Sequence, residues 1–190
     1  TFQIEQAVFR NLLDTRENNE IKKEIITTSF VTIVIQCLCY IIIFVFLSLF
    51  IHNEYKWFLV INLFFYIFSS LFQQISRGFG DNKTYSISGF ISAMFTIIFN
   101  ILFIVKFKFG AYGMLIGTAI GQAVCVIYIV LKLKIYKYIN YKYYNKEKLK
   151  ELWKYSIPLI PNSISWWIFN ASDRIIVSFF LGLSTNGILA

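Results

Sequence analysis

The chain has 190 residues, of which 57% are hydrophobic and only 15% charged, with a formal net charge of +8. A soluble domain carries about a quarter charged residues, and here the charges are clustered. The apolar stretches between them approach the roughly 20 residues that a helix needs to cross a bilayer. This excludes an ordinary soluble domain and predicts an all-α membrane protein, a polytopic transmembrane helix bundle.

Residues 1–28 are polar and read as a cytoplasmic loop, with no apolar segment of the signal-peptide kind. The chain opens on Thr1 and stops in an apolar region at Ala190, so both ends read as cut. Residues 29–131 hold four predicted spans: Ser29 to Ile51, Trp57 to Ser76, Tyr85 to Val105 and Tyr112 to Leu131. Short polar turns separate them, at His52-Asn53-Glu54-Tyr55-Lys56, Arg77 to Lys83, and Lys106 to Gly110. Glycine and Asn/Asp in these turns are strong turn formers. Residues 132–155 form a basic cytoplasmic linker, and residues 156–190 a further span from Ser156 to about Leu181.

The linker sets the orientation. Lys132, Lys134, Lys137, Lys142, Lys146, Lys148, Lys150 and Lys154 face only Glu147 and Glu151, and Lys/Arg-rich short loops stay cytoplasmic. Alternation then places Arg10, Arg16, Lys22, Lys23, Arg77 and Lys83 inside as well, and only Lys56, Lys106 and Lys108 outside. Tyr136, Tyr138, Tyr141, Tyr143 and Tyr144 interleave with the lysines. Beside a span this mixture fits a headgroup layer, with membrane lipids and not nucleic acid as the partner.

Polar side chains in hydrocarbon are costly, yet they recur at helical spacing. Thr28, Thr32, Gln36 and Tyr40 share a face, as do Asn62, Tyr66, Ser69 or Ser70, Gln73 and Arg77. Ser88, Ser92, Thr96 and Asn100 form a third stripe, and Asn162, Trp166, Asn170 and Asp173/Arg174 a fourth. Interhelical hydrogen bonding is the favoured reading of the Ser/Thr stripe. For the bulkier Asn62–Arg77 and Asn170–Arg174 stripes, packing and a water-filled cavity stay equally open, and Arg77 also fits a snorkelling side chain.

Gly113, Gly117 and Gly121 repeat every four residues, a spacing that lets helix backbones approach closely. Pro158 and Pro161 remove backbone donors early in the last span; they mark either helix initiation or a broken helix at a substrate site. Cys37, Cys39 and Cys125 lie inside spans without metal-ligand spacing and read as packing residues. No P-loop, metal cluster, carboxylate pair or nucleophile–base arrangement is present in the sequence, so no catalytic residue, metal or cofactor is expected and the chain reads as a transporter, not an enzyme.

The stretches "PLIPNSISWW" and "NASDRIIVSFFLG" within Leu152–Gly187 resemble the polysaccharide repeat-unit (O-antigen type) flippases, as do "RGFGDNKTYSISGFIS" and "VFRNLLDTRENNEIKKEIITTSF" upstream. These belong to the multidrug/oligosaccharidyl-lipid/polysaccharide exporter superfamily. The resemblance implies two pseudo-repeated six-helix lobes around a cavity. The four spans of 29–131 would then close the N-terminal lobe, 132–155 would join the lobes, and 156–190 would be the truncated first helix of the C-terminal lobe.

The implied activity is transfer of undecaprenyl-pyrophosphate-linked oligosaccharide across the bacterial cytoplasmic (inner) membrane for surface polysaccharide such as lipopolysaccharide or capsule. Polysaccharide assembly proteins are the implied partners. Substrate-binding candidates are Arg77 and Arg174 for pyrophosphate, Asp173 as the partner of Arg174, and Asn62, Gln73, Asn100 and Asn170 for sugar. A multidrug or cation antiporter of the same superfamily would require acidic residues in the first four spans, which contain none. A non-transporting helical interaction subunit is the remaining alternative.

Overall fold

The computed structural model describes residues 2–15, 17–50 and 54–181, with Leu181 described by its backbone alone. His52 and Asn53 of the first polar turn, Arg16, and residues 182–190 lie outside the described residues. The chain is helical, with no strand among the described residues. Its helices are α1 (Ile4–Asp14), α2 (Asn19–Ser48), α3 (Lys56–Gly78), α4 (Asn82–Ile101), α5 (Ala111–Leu133), α6 (Lys146–Ser156) and α7 (Leu159–Leu181). A π-helical turn, Leu102–Lys106, extends α4, so its span runs Asn82–Lys106.

Among the described residues, α2, α3, α4 with its extension, and α5 are long and apolar enough to cross a membrane. They match the four spans expected over 29–131, and the protein is a multi-pass membrane protein. Helix α2 begins at Asn19, ten residues before the expected start at Ser29. Its polar first turns are helical because Asn18 caps them, its side chain accepting from the backbone N–H groups of Glu20 and Ile21. The fifth expected span is a helix of 23 residues, α7, but it is not one of these four. Asp173 and Arg174 at its middle lower its apolar character.

Residues 1–28 are not a plain loop. Helix α1 carries Ile4, Ala7, Val8 and Leu12 at helical spacing, and all four are fully buried. It lies across one end of the bundle, packed on α3, α6 and α2. Its seat is Gly78, where a Cβ would stand 2.6 Å from the Cβ of Leu12. The buried core gathers at this end: Ile25, Ile26, Leu71, Ile75, Cys125, Ile129, Ile135 and Leu152 join the α1 residues. Towards the opposite end the spans meet mainly through rings, with Tyr55–Tyr112 centroids 4.6 Å apart and Phe44–Trp57 5.6 Å.

The α3–α4 joint is tight. Gly80 at φ 79° ends α3, with Gly80 N–H donating to Arg77 C=O (2.9 Å) and Asp81 N–H to Ser76 C=O (3.1 Å). Glycine suits this left-handed position because it has no Cβ to clash. Asp81 then caps α4, its carboxylate accepting from Thr84 N–H at 2.9 Å and from Thr84 Oγ1–H at 2.6 Å. These two hydrogen bonds, aided by Lys132 and Lys83, hold the Asp81 carboxyl below its ordinary range.

The 132–155 linker is partly helical, ending in α6, and it is tied to α2. Thr27 Oγ1–H donates to Tyr138 C=O (2.9 Å) and accepts from Asn140 N–H (3.2 Å), while Thr28 Oγ1 accepts from Asn145 N–H (3.1 Å). Between α6 and α7 lie Ile157 and Pro158 alone, so Pro161 falls in the first turn of α7. Both prolines thus stand where a helix has no intrahelical donor to lose. The Ile157 carbonyl, deprived of a donor at Pro161, accepts from Ile160 N–H at 3.2 Å instead. The prolines initiate a helix after an elbow and do not interrupt its middle.

Candidate functional site

The polar stripes of the spans are mostly seams. On α4, Ser88 and Ser92 are buried, and this face meets the glycines of α5 in the most extensive helix pairing of the fold. A Cβ on Gly113 would stand 3.0 Å from Phe103 Cβ. One on Gly117 would meet Asn100, whose backbone nitrogen is 3.0 Å away, and one on Gly121 would meet Thr96 and the Ser92 carbonyl oxygen, the latter at 2.7 Å. Small residues at every fourth position on one helix and short hydroxyl residues on the other allow this closeness.

Helix α3 also turns its stripe to α5. Asn62 Nδ2 donates to Phe58 C=O and to Leu115 C=O, both at 2.9 Å. Gln73 Nε2 donates to Ser69 Oγ (3.2 Å) and to Cys125 Sγ (3.4 Å), so the buried Cys125 is a hydrogen-bond acceptor within the seam. The three cysteines are free thiols. Packing therefore accounts for one side of each amide.

Other amide atoms of the spans are unmatched among the described residues. Asn62 Oδ1, Asn100 Oδ1 and both amide atoms of Gln36 are buried without a hydrogen-bond partner among the described residues. A buried unpaired polar atom costs about 1–3 kcal/mol, so such groups mark places where a hydrogen-bonding ligand gains most. Asn62 and Asn100 reach α5 close together, at Leu115 and Gly117. Asn62 also lines a groove of about 190 Å³ between α3 and α5, with Phe58, Phe65, Leu115 and Ile120 among its walls. Gln36 lies on the α2 stripe read from the sequence, beside buried Ile33 and Cys37.

Arg77 is at the α1-covered end of α3, half-buried between two rings. Its guanidinium carbon is 4.4 Å from the Phe9 centroid and 5.2 Å from that of Tyr85, and Nη1 donates to Gln74 Oε1 at 3.1 Å. No carboxylate pairs with it among the described residues. Asn170, Asp173 and Arg174 are exposed on α7, which among the described helices packs against α6 only. Asn170 Nδ2 donates to Trp166 C=O of its own helix at 2.9 Å. The structure thus brings Asn62, Gln73 and Asn100 around α5, leaves Arg77 at one end, and does not join Arg174 to any of them.

Sequence reasoning missed the α1 lid and the stacked cations beneath it. The spacing of Ile4, Ala7, Val8 and Leu12 was the available signal for α1. Nothing in a single sequence pairs Arg77 with Phe9.

The sequence model of the family described as "Polysaccharide biosynthesis protein" matches residues 1–190, the whole chain. The chain belongs to this family. No curated protein and no solved structure gives a significant match. For a member of the polysaccharide biosynthesis family, a multi-pass bundle with unpaired amides in its spans places hydrogen-bonding groups where hydrocarbon alone would offer none.

Proposed function

We propose that the protein acts in transport, moving a lipid-linked oligosaccharide across the bacterial cytoplasmic membrane during surface polysaccharide assembly. The observation that carries this reading is the set of buried, unpartnered amide atoms on Gln36, Asn62 and Asn100 in otherwise apolar spans. Carbonyl acceptors and an amide donor match sugar hydroxyls, which cannot cross hydrocarbon unaided. Arg77, oriented by two rings and lacking a carboxylate partner among the described residues, suits a pyrophosphate. Arg174, with Asp173 beside it in sequence, is the second candidate cation, standing on α7 away from the bundle. Gln73 and Asn170 are further sugar-facing candidates that would exchange their present internal bonds for substrate.

In the proposed orientation, the α1-covered end is cytoplasmic. Arg10, Lys22, Lys23 and Arg77 gather there with the linker lysines, in the sense the positive-inside rule requires. A cation antiporter would need acidic groups inside the spans; α3, α4 and α5 carry no Asp or Glu.

The test is transfer of a fluorescent undecaprenyl-pyrophosphate oligosaccharide across vesicles holding the full chain. Arg77→Ala and Asn62→Leu are each expected to lower transfer while insertion stays normal. Undiminished transfer by Arg77→Ala, Arg174→Ala and Asn62→Leu alike would sink the reading.

A further inference from the structure

Among the described residues, four cations at the lid end of the bundle stack on rings without a carboxylate partner. Besides Arg77, Arg10 lies 4.8 Å over the Tyr155 ring, Lys22 5.5 Å over Phe79, and Lys23 5.0 Å over Tyr143. Among the described residues the only ion pair is Lys148–Glu151, at 2.8 Å. A ring engages the flat face of a guanidinium and orients it, and the in-plane N–H groups stay available to phosphate oxygens.

At one of these sites a stacked cation borders a cavity. A groove of about 320 Å³ between α1 and α6 is lined by Arg10, Asn11, Glu151, Lys154 and Tyr155. Glu151 pairs with Lys148 at the surface, so with that lysine counted Arg10 and Lys154 leave the groove net positive. Asn11 Nδ2 donates to Ala7 C=O at 3.0 Å, and no hydrogen bond to its Oδ1 is found among the described residues. Both helices lie at the end where the spans meet the basic linker, which the proposed orientation sets beside the lipid headgroups.

We propose that the α1–α6 groove binds the phosphate of an anionic phospholipid. Arg10 and Lys154 supply the charge, Tyr155 orders Arg10, and Asn11 Oδ1 accepts from a headgroup hydroxyl. The site does not depend on the transport reading; only the leaflet it faces follows from the proposed orientation. A lipid held there touches both α1 and α6, and so fastens the lid to the helix that leads into α7.

The experiment uses the full chain in phosphatidylcholine nanodiscs containing a minor share of phosphatidylglycerol, with native mass spectrometry counting the phosphatidylglycerol retained. A cation near an anionic surface is worth about fivefold in affinity, so R10Q/K154Q is expected to lower retention by roughly 25-fold. K134Q/K142Q removes the same charge from the linker outside the groove and is expected to lower retention clearly less than R10Q/K154Q does. Tyr155→Leu keeps both charges and is expected to fall between them. Equal losses in the two charge pairs would reveal diffuse attraction and overturn the site, as would full retention by R10Q/K154Q. Inorganic phosphate protecting lipid-free protein as strongly as phosphatidylglycerol would also overturn it, by assigning the groove to a soluble anion. Lys154→Gln alone changes an exposed side chain, so it supports or overturns the site even where the double variant loses its fold.

Discussion

Replacing Gly121 with alanine isolates what the α4–α5 seam contributes. The added methyl would meet Thr96 and stand 2.7 Å from the Ser92 carbonyl oxygen. Thr96 can turn its hydroxyl, but Ser92 C=O is helix backbone. It must retreat by about 0.7 Å to reach ordinary contact, taking the α4 backbone with it. Overpacking of this kind costs about 1–3 kcal/mol, and the immovable neighbour puts Gly121 at the upper end. The helix-propensity gain of alanine over glycine, about 1 kcal/mol, offsets part of it, leaving a net loss near 2 kcal/mol. Gly89→Ala is the matched control, since nothing lies within 4 Å of its added methyl, and only the propensity gain remains. Unfolding in mixed micelles, followed by circular dichroism, should therefore separate the two variants by about 3 kcal/mol. Equal stability of Gly121→Ala and Gly89→Ala would refute the close-approach reading of the glycine stripe.

Leu12→Ala empties the contact over Gly78 and is expected to cost about 2–5 kcal/mol, read as faster hydrogen exchange throughout α1. Thr27→Val leaves Tyr138 C=O and Asn140 N–H without their partner; with about 1–3 kcal/mol lost, limited proteolysis should cut the linker between residues 136 and 145 more readily. Asp81→Ala should cost about 1 kcal/mol as a lost cap. Because the folded Asp81 carboxyl lies below its unfolded value of 3.8, its charge contributes stability above that pH. The contribution is lost as pH falls through the lower folded value. Asp81→Asn should keep the cap and remove this acid-side dependence, which a stability–pH series below about pH 5 measures.

The spans and the glycine seam were legible because their signals are local. Charge interruptions bound the apolar runs, and Gly113, Gly117 and Gly121 announce a close contact whichever helix supplies it. The Ser88–Asn100 stripe read as an interhelical contact, but that it is the glycines' partner shows only where α4 lies against α5. Helix α1 escaped because Glu5, Arg10, Asn11 and Asp14 dilute a short apolar face, and such a face declares itself only once Gly78 offers a seat. The amides show the limit most clearly. Spacing marked Asn62 and Gln73 as a stripe, but it cannot say that Gln73 reaches Cys125 and Ser69 while Asn62 leaves its oxygen unpaired. That distinction depends on which α5 atom happens to lie opposite, a tertiary property.

The elbow at Ile157–Pro158 makes α7 a lever. At 1.5 Å per residue its 23 residues extend roughly 35 Å, anchored among the described helices only through α6. A turn of about 10° at the elbow would sweep the far end through roughly 6 Å, more than a full helical pitch. The same turn moves Pro161, next to the fulcrum, by less than about 1 Å. Small adjustments where α6 rests on α1 are thus magnified severalfold at Arg174, a mechanical advantage set by the two-residue turn between the arms.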